Sequence, residues 1–448
     1  MPAKKTPAKR AAIGAAPASV TIRMYNVGFG DCFLLTFNYA KEIRHMLIDF
    51  GSTSAPKGQA KDYMKRVAAD IKAQCGSKLH IVVATHRHRD HISGFATDGD
   101  ATGTTIAGLK PDYVIQPWTE DPNAKPDALT ATVNVGAKSD PSAKQMTAHY
   151  LGSLEAMHRV AAGVGEWAKQ NAAGMDSATL NQLSFLGEDN LKNLSAVKNL
   201  MAMGRAGTPY YVNAGMKLNG VLPGVKITVM GPPNLKQSAK IRTERSKDPH
   251  EFWQFRNFWA AQDGAVTRAA ANRSAALFPR DVSAARGPNV RWFIRAARKI
   301  QASQMLELVR QLDDVMNNTS VILLFEIGSK KLLFPGDAQI ENWAFALDNP
   351  EWMALLEDVD LYKVGHHGSL NATPKTLWSR FKHKGEHSAH DRMETLCSTK
   401  AGKHGSVDAG TEVPRRLLVD ELQKESDFTS TEDYKAADGL VREFTIRV

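Results

Sequence analysis

The stretch His86-Arg87-His88-Arg89-Asp90-His91 packs three imidazoles and one carboxylate into a short run of chain. Zinc takes such borderline nitrogen and oxygen donors, and a catalytic site leaves one coordination position open for water. His86 and His88 have the same-side spacing of an extended segment, so both can grip one ion. Asp90 and His91 follow once the chain bends, where they can face a second ion. A solvated loop with incidental histidines is the plain alternative. Its weight is small here, because the ligand-type residues follow directly on the apolar run Leu79-His80-Ile81-Val82-Val83-Ala84, the strand end that a metal motif requires.

Three further segments end a strand pattern on chemistry-bearing residues. Leu47-Ile48-Asp49-Phe50-Gly51 closes on Asp49, Phe334-Pro335-Gly336-Asp337-Ala338 carries Asp337, and Gly365-His366-His367-Gly368-Ser369 carries His366 and His367. Asp31 lies in Gly28-Phe29-Gly30-Asp31, a glycine-rich link between the strand patterns Val20–Val27 and Cys32–Phe37, which together read as a hairpin. Strand ends are where an α/β fold places chemistry, since side chains there project from a rigid sheet into a loop-lined crevice.

Other elements fill in an α/β order. A strand covers His45–Phe50 and a helix spans about Asp62 to Gln74. Further strands fall at Tyr113–Ile115, Val225–Met230, Ser320–Phe325, Lys331–Phe334 and Asp360–Val364, then a helix at Pro414–Lys424 and a last strand at Val441–Val448. Helical patterns over Ser142–Asn171 and Asn181–Met203, and a segment rich in arginine and aromatics between Asn234 and Asp314, read as insertions at about 120–205 and 236–315. Residues 1–18 read as a disordered basic tail, and 19–448 as one domain. No repeat of fixed period is present.

With 43% hydrophobic and 23% charged residues, the chain is ordinary for a globular protein with a real core. Cys32, Cys75 and Cys397 are too scattered for a disulfide framework or a zinc finger, which points to a reducing, cytoplasmic setting. No run of apolar residues reaches a spanning length, so no membrane partner is expected. The formal net charge of +10 favours a polyanionic partner such as nucleic acid or a nucleotide.

The His-x-His-x-Asp-His run resembles the signature of the metallo-β-lactamase superfamily. Asp49 resembles its early aspartate, Asp337 its metal-bridging aspartate, and the His366-His367-Gly368-Ser369 run its last histidine. Within the superfamily the chain is most similar to the hydrolase domain of ComEC-type competence proteins and their soluble relatives. Asn26-Val27-Gly28-Phe29-Gly30-Asp31-Cys32, Asn317-Asn318-Thr319-Ser320-Val321 and Val364-Gly365-His366-His367-Gly368-Ser369 carry that likeness, over about 20–110, 205–235 and 318–448. It implies a metallo-β-lactamase αββα sandwich interrupted by two helical insertions.

The resemblance implies one or two ions, Zn2+ or alternatively Mn2+, sharing Asp337 and a metal-bound hydroxide. The pKa of water falls from about 15.7 to about 7 on such an ion. His86, His88 and Asp337 would hold the first ion, and Asp90, His91, Asp337 and one of His366 and His367 the second. His366 follows the strand most directly and is the preferred ligand, leaving His367 for the substrate or leaving group. Asp90 would have a second task, orienting the water; Asp49 would fix an imidazole through its far nitrogen, with Asp31 a weaker candidate beside it. One departure stands out, for many members carry a separate Gly-His ligand before the bridging aspartate. None is found here, and Asn317, Asn318 or Ser320 occupies its neighbourhood.

The expected activity is a phosphodiesterase or nuclease. Hydrolysis of a small ester, lactone or phosphoryl compound is the alternative, and a metal-binding regulatory module with impaired catalysis a third. Arg242, Arg245 and Arg256 interleave with Phe252, Trp253 and Trp259 as a single-strand binder would require, although Phe252, Phe255 and Trp259 also have the spacing of a helix face packing on the core. His383, His387 and His390 could share another helix face, but Gly385 interrupts it and favours a loop.

Overall fold

The computed structural model describes residues 15–59, 62–125, 128–132, 151–152, 194–238, 316–369, 373–386, 391–403, 412–434 and 439–448. In chain order the strands are β1 (Ser19–Tyr25), β2 (Cys32–Asn38), β3 (Ile43–Phe50), β4 (Ile81–Val83), β5 (Tyr113–Pro117) and β6 (Thr208–Val212). There follow β7 (Val225–Gly231), β8 (Ile322–Ile327), β9 (Lys330–Phe334), β10 (Leu361–Lys363), β11 (Glu394–Cys397), β12 (Asp427–Ser430) and β13 (Val441–Arg447). One sheet runs β13-β1-β2-β3-β4-β5-β6 and the other β12-β11-β10-β9-β8-β7.

Side-chain alternation along these strands sorts the core into layers, because successive residues of a strand face opposite ways. Val20, Ile22, Phe33, Leu35, Met46 and Ile48 of the first sheet pack with Ile227, Val229, Leu323, Phe325, Leu332 and Phe334 of the second. The opposite face of the first sheet, including Leu34, Leu47 and Val82, packs on Val67, Ile71, Ile106 and Leu200 from the helices Tyr63–Cys75, Thr102–Gly108 and Leu194–Ala206. Outside the second sheet, Leu324, Leu333 and Tyr362 meet Trp343, Trp352, Leu377 and Leu422 from the helices Ile340–Leu347, Pro350–Glu357, Lys375–Arg380 and Arg416–Glu425. The result is an αββα sandwich, the architecture expected of the sequence.

Each sheet is antiparallel at one side and parallel at the other. β1, β2 and β13 pair antiparallel, whereas β3, β4, β5 and β6 run parallel. In the second sheet β7, β8 and β9 are antiparallel, and β9, β10, β11 and β12 parallel. Parallel strands share one direction, so the carboxyl ends of β3 and β4 and those of β9, β10 and β11 can open onto a common rim.

The expected strands are present with ends displaced by a residue or two, while β6, β11 and β12 are additions to the sequence reading. Between Pro374 and Pro414, where the sequence reading placed no strand, the chain contributes β11 to the second sheet. Apart from Leu151 and Gly152, which are helical, the helix read from Ser142 to Asn171 lies outside the described residues, as do the arginine-aromatic segment beyond Ser238, His387 and His390. All three cysteines are free and buried. Among the described residues no helix is long and apolar enough to cross a membrane.

Candidate metal centre

The rim gathers the end of β3 (Asp49), the segment after β4 (Thr85 to His91), the loop after β9 (Asp337), the turn after β10 (His366 and His367) and the residue after β11 (Ser398). Close backbone approaches fix it. Asp31 N donates to Asp90 O at 2.9 Å, which docks the β1–β2 link on the metal motif. Gly336 adopts φ +56, and a Cβ there would lie 2.7 Å from the Thr85 Cβ. Glycine alone lets the Asp337 loop press against the motif at that point.

Asp49, on left-handed backbone at φ 55, takes Thr85 N on Oδ1 at 2.8 Å and Thr85 Oγ1 on Oδ2 at 2.7 Å. Having donated its proton to Asp49, the Thr85 hydroxyl accepts from His86 Nδ1 at 3.1 Å. The His86 Nε2 lone pair is thereby left for a ligand. His91 obeys the same rule, with Nδ1 on Asp49 Oδ2 at 2.8 Å and Nε2 2.9 Å from Asp337 Oδ2. His367 gives Nδ1 to the Ser398 carbonyl at 2.9 Å, and its Nε2 stands 3.1 Å from Asp90 Oδ2 and 3.3 Å from Asp337 Oδ2. Tying one ring nitrogen fixes the tautomer and aims the other, the arrangement that metal-bound histidines require.

Donor atoms of Asp90, His91, Asp337 and His367 all lie within 4.8 Å of one another, and all four residues are buried. His86 Nε2 and His88 Nδ1 form a second convergence, 2.9 Å apart. With Zn–N bonds of about 2.0–2.1 Å, ligand atoms on one ion stand about 3 Å apart, and this spacing fits.

Of the adjacent histidines, His367 stands in the four-donor group. His366, preferred by its position after the strand, is half-buried, gives its main-chain N to Asp337 Oδ1 at 3.1 Å, and has its ring 6.2 Å from that of His367. Both lie on left-handed backbone, at φ 42 and φ 52, so the turn and the Ser398 carbonyl decide which ring enters the pocket.

Sequence reasoning missed Lys363, Thr85 and Ser398, and named Ser320 only as a neighbour of the absent Gly-His ligand. Lys363 Nζ is buried against the Asp31 carboxylate and lies 3.3 Å from Asp337 Oδ1. It is the lone charge in the apolar run Leu361-Tyr362-Lys363-Val364, which was the available signal. Ser320 Oγ accepts from Asp337 N at 3.2 Å.

The electrostatics are those of a dry, carboxylate-rich pocket. Asp31, Asp49, Asp90 and Asp337 are each at most 5% exposed, with Lys363 the lysine among them. Burial pulls the Asp90 and Asp337 carboxyls upward, yet His91 and His367 beside them hold both well below the usual range. Burial pushes the Asp49 carboxyl up against the pull of His91. Burial works against protonated imidazole, but Asp337 and its neighbours raise His91 well above its ordinary value and bring His367 up to about 10. His86 and His88, with imidazole neighbours, are pushed down by burial, His88 to about 4. Without metal, protons on His91 and His367 supply the cationic charge that divalent ions would otherwise bring. The donor set, its tautomers and this charge balance all fit metal ions.

No protein-family model and no curated protein matches the chain. Among solved structures it is similar to the metallo-beta-lactamase fold protein YhfI from Bacillus subtilis, at 10% identity and a TM-score of 0.35, over 95% of this chain and 100% of that one. It is also similar to CmlA, a diiron beta-hydroxylase from Streptomyces venezuelae, at 10% identity and a TM-score of 0.28, over 79% of this chain and 35% of that one.

Proposed function

We propose that this chain is a metal-dependent hydrolase of phosphodiesters, a nuclease or nucleotide phosphodiesterase. The observation that carries the metal part is the buried convergence of Asp90, His91, Asp337 and His367 beside the His86–His88 pair. The net charge of +10 and the resemblance to ComEC-type hydrolase domains support a phosphodiester, since a positive surface gathers polyanions.

In this reading His86 and His88 would hold one ion, and Asp90, His91 and His367 the other, with Asp337 available as a further ligand. Divalent ions there, Zn2+ or Mn2+, would lower the pKa of a water and neutralise charge developing on a phosphoryl group. The chain's own residues do the positioning. Thr85, Asp49 and the Ser398 carbonyl hold three imidazoles with Nε2 facing the pocket. Asp90 Oδ1 is buried with no hydrogen-bond partner among the described residues, so that oxygen can accept a hydrogen bond from a water and orient it while Oδ2 faces His367. Burial of the donor set excludes bulk water and strengthens each of these interactions.

The test is metal analysis of the purified chain with a generic phosphodiester assay on wild type, His86→Ala and Asp90→Ala. Wild type should hold metal and turn over the diester, and each variant should lose at least about a hundredfold in rate. Equal rates in all three would refute the assigned roles. Metal binding without cleavage would turn the reading to a regulatory module. Turnover of small esters without salt-dependent polyanion binding would turn it to a small-molecule hydrolase.

A further inference from the structure

The turn leading into β8 carries a carboxamide whose burial the polypeptide does not explain. Asn317 is 1% exposed, and both its Oδ1 and its Nδ2 are buried with no hydrogen-bond partner among the described residues. A buried donor or acceptor left without a partner has lost its water and gained nothing in return, which disfavours the folded chain. Native proteins keep few of them, and where one persists something outside the chain usually completes it.

Its position says what that is. Val321 N donates to Thr85 O at 2.9 Å, and Arg87 Nε donates to Met316 Sδ at 3.3 Å. The turn is therefore fastened to the residues on either side of His86. Between those fastenings it is closed by Thr319 N to Met316 O at 3.1 Å and Ser320 N to Asn317 O at 3.0 Å, while Ser320 Oγ takes Asp337 N at 3.2 Å. The turn that carries Asn317 is thus bonded to Thr85 and Arg87, which flank His86, and through Ser320 to the Asp337 loop. On the other side of the centre Asp90, His91 and His367 gather around Asp337, whereas His86 and His88 bring only two nitrogens of their own.

We propose that Asn317 Oδ1 is a protein ligand of the ion held by His86 and His88, giving that ion two imidazoles and a neutral amide oxygen besides Asp337. This inference rests on the metal-centre reading above. Replacing an imidazole by an amide oxygen makes the position harder, and harder donors favour manganese relative to zinc. The two ions would then differ in metal preference, with the His86–His88 position the more tolerant of Mn2+.

The test uses metal-free full-length chain titrated with Zn2+ and, separately, Mn2+ against a chromophoric chelator. Wild type should bind two ions. Asn317→Ala should keep the tighter one and bind the other at least about tenfold more weakly. His86→Ala should lose that same ion, and the double variant should lose no further one. Asn317→His should regain it with zinc favoured over manganese by about tenfold more than in wild type. Asn317→Asp, which keeps the oxygen, guards against misfolding of the alanine variant and should retain both ions. If Asn317→Ala binds both ions as wild type does, or if Asn317→Asp loses the His86 ion, the proposal falls while the metal centre stands. If wild type binds no ion, both readings fall together.

Discussion

Lys363 Nζ lies 3.3 Å from Asp337 Oδ1, and this contact divides the work of the two carboxylate oxygens. Oδ1 is occupied by Lys363 and by the main-chain N of His366 at 3.1 Å, so Oδ2 alone faces His91 and His367. The same ammonium is buried against Asp31. A lysine remote from the metal motif in sequence thereby sets which oxygen of Asp337 is presented.

Lys363→Met should therefore destabilise the chain by about 3–5 kcal/mol, because two buried aspartates would lose their cation. Denaturant unfolding with chelator present gives the number. An unshifted midpoint at constant slope would show that Lys363 is dispensable to the pocket.

Metal uptake should release protons. Asp337 and its neighbours raise His91 well above its ordinary value and His367 to about 10, so the carboxylates favour the protonated form of both rings when no metal is bound. A ligand nitrogen must be neutral, so filling the site should release about two protons at pH 8. His86 and His88, pushed down by burial, should add none. Affinity should accordingly climb with pH from about 7 to 10. Calorimetry in buffers of different ionisation enthalpy measures the count; heats independent of buffer would contradict it.

The His86 to His91 run was legible because its ligand types crowd a single strand end, and β1, β2 and β3 because their residues suit half- or fully buried strands. β11 and β12 were not. Each is four residues long, too short for alternation to show, and each is a strand because a parallel neighbour bonds it. The choice between His366 and His367 was hidden for a related reason. It depends on a left-handed turn and on a carbonyl 31 residues further along, at Ser398. Lys363 looked like an ordinary charge in a short strand until Asp31 and Asp337 were folded against it.

Acid should weaken the first sheet at a point remote from the metal centre. Burial, with His80 and Arg23 adding to it, pushes His45 down to about 4, and its Nδ1 lies 3.1 Å from Thr36 Oγ1. A histidine depressed in the folded state gives stability that is present above its unfolded value, near 6.5, and lost as pH falls toward 4. The loss should be on the order of 2 kcal/mol. His45→Gln should flatten that part of the pH profile, measured as urea midpoints between pH 7 and pH 4. A profile as steep as that of wild type would assign the acid sensitivity to other groups.

The seam between β3 and the metal motif should tolerate no side chain. A Cβ on Gly51 would lie 2.4 Å from Asp90 C, 2.5 Å from His91 N and 2.6 Å from Arg89 O, all backbone atoms that cannot swing aside. Gly51→Ala must therefore shift either the end of β3, which carries Asp49, or the Arg89–His91 turn. Either shift separates His91 Nδ1 from Asp49, the contact that aims its Nε2 at Asp337. The variant should lose about 1–3 kcal/mol of stability and bind its ions at least about tenfold more weakly. Gly108→Ala is the control, since a Cβ there meets nothing within 4 Å, and it should be neutral or slightly stabilising with wild-type metal affinity. If Gly51→Ala matched the control in both stability and metal binding, the seam would not be what holds Asp90 and His91 in place.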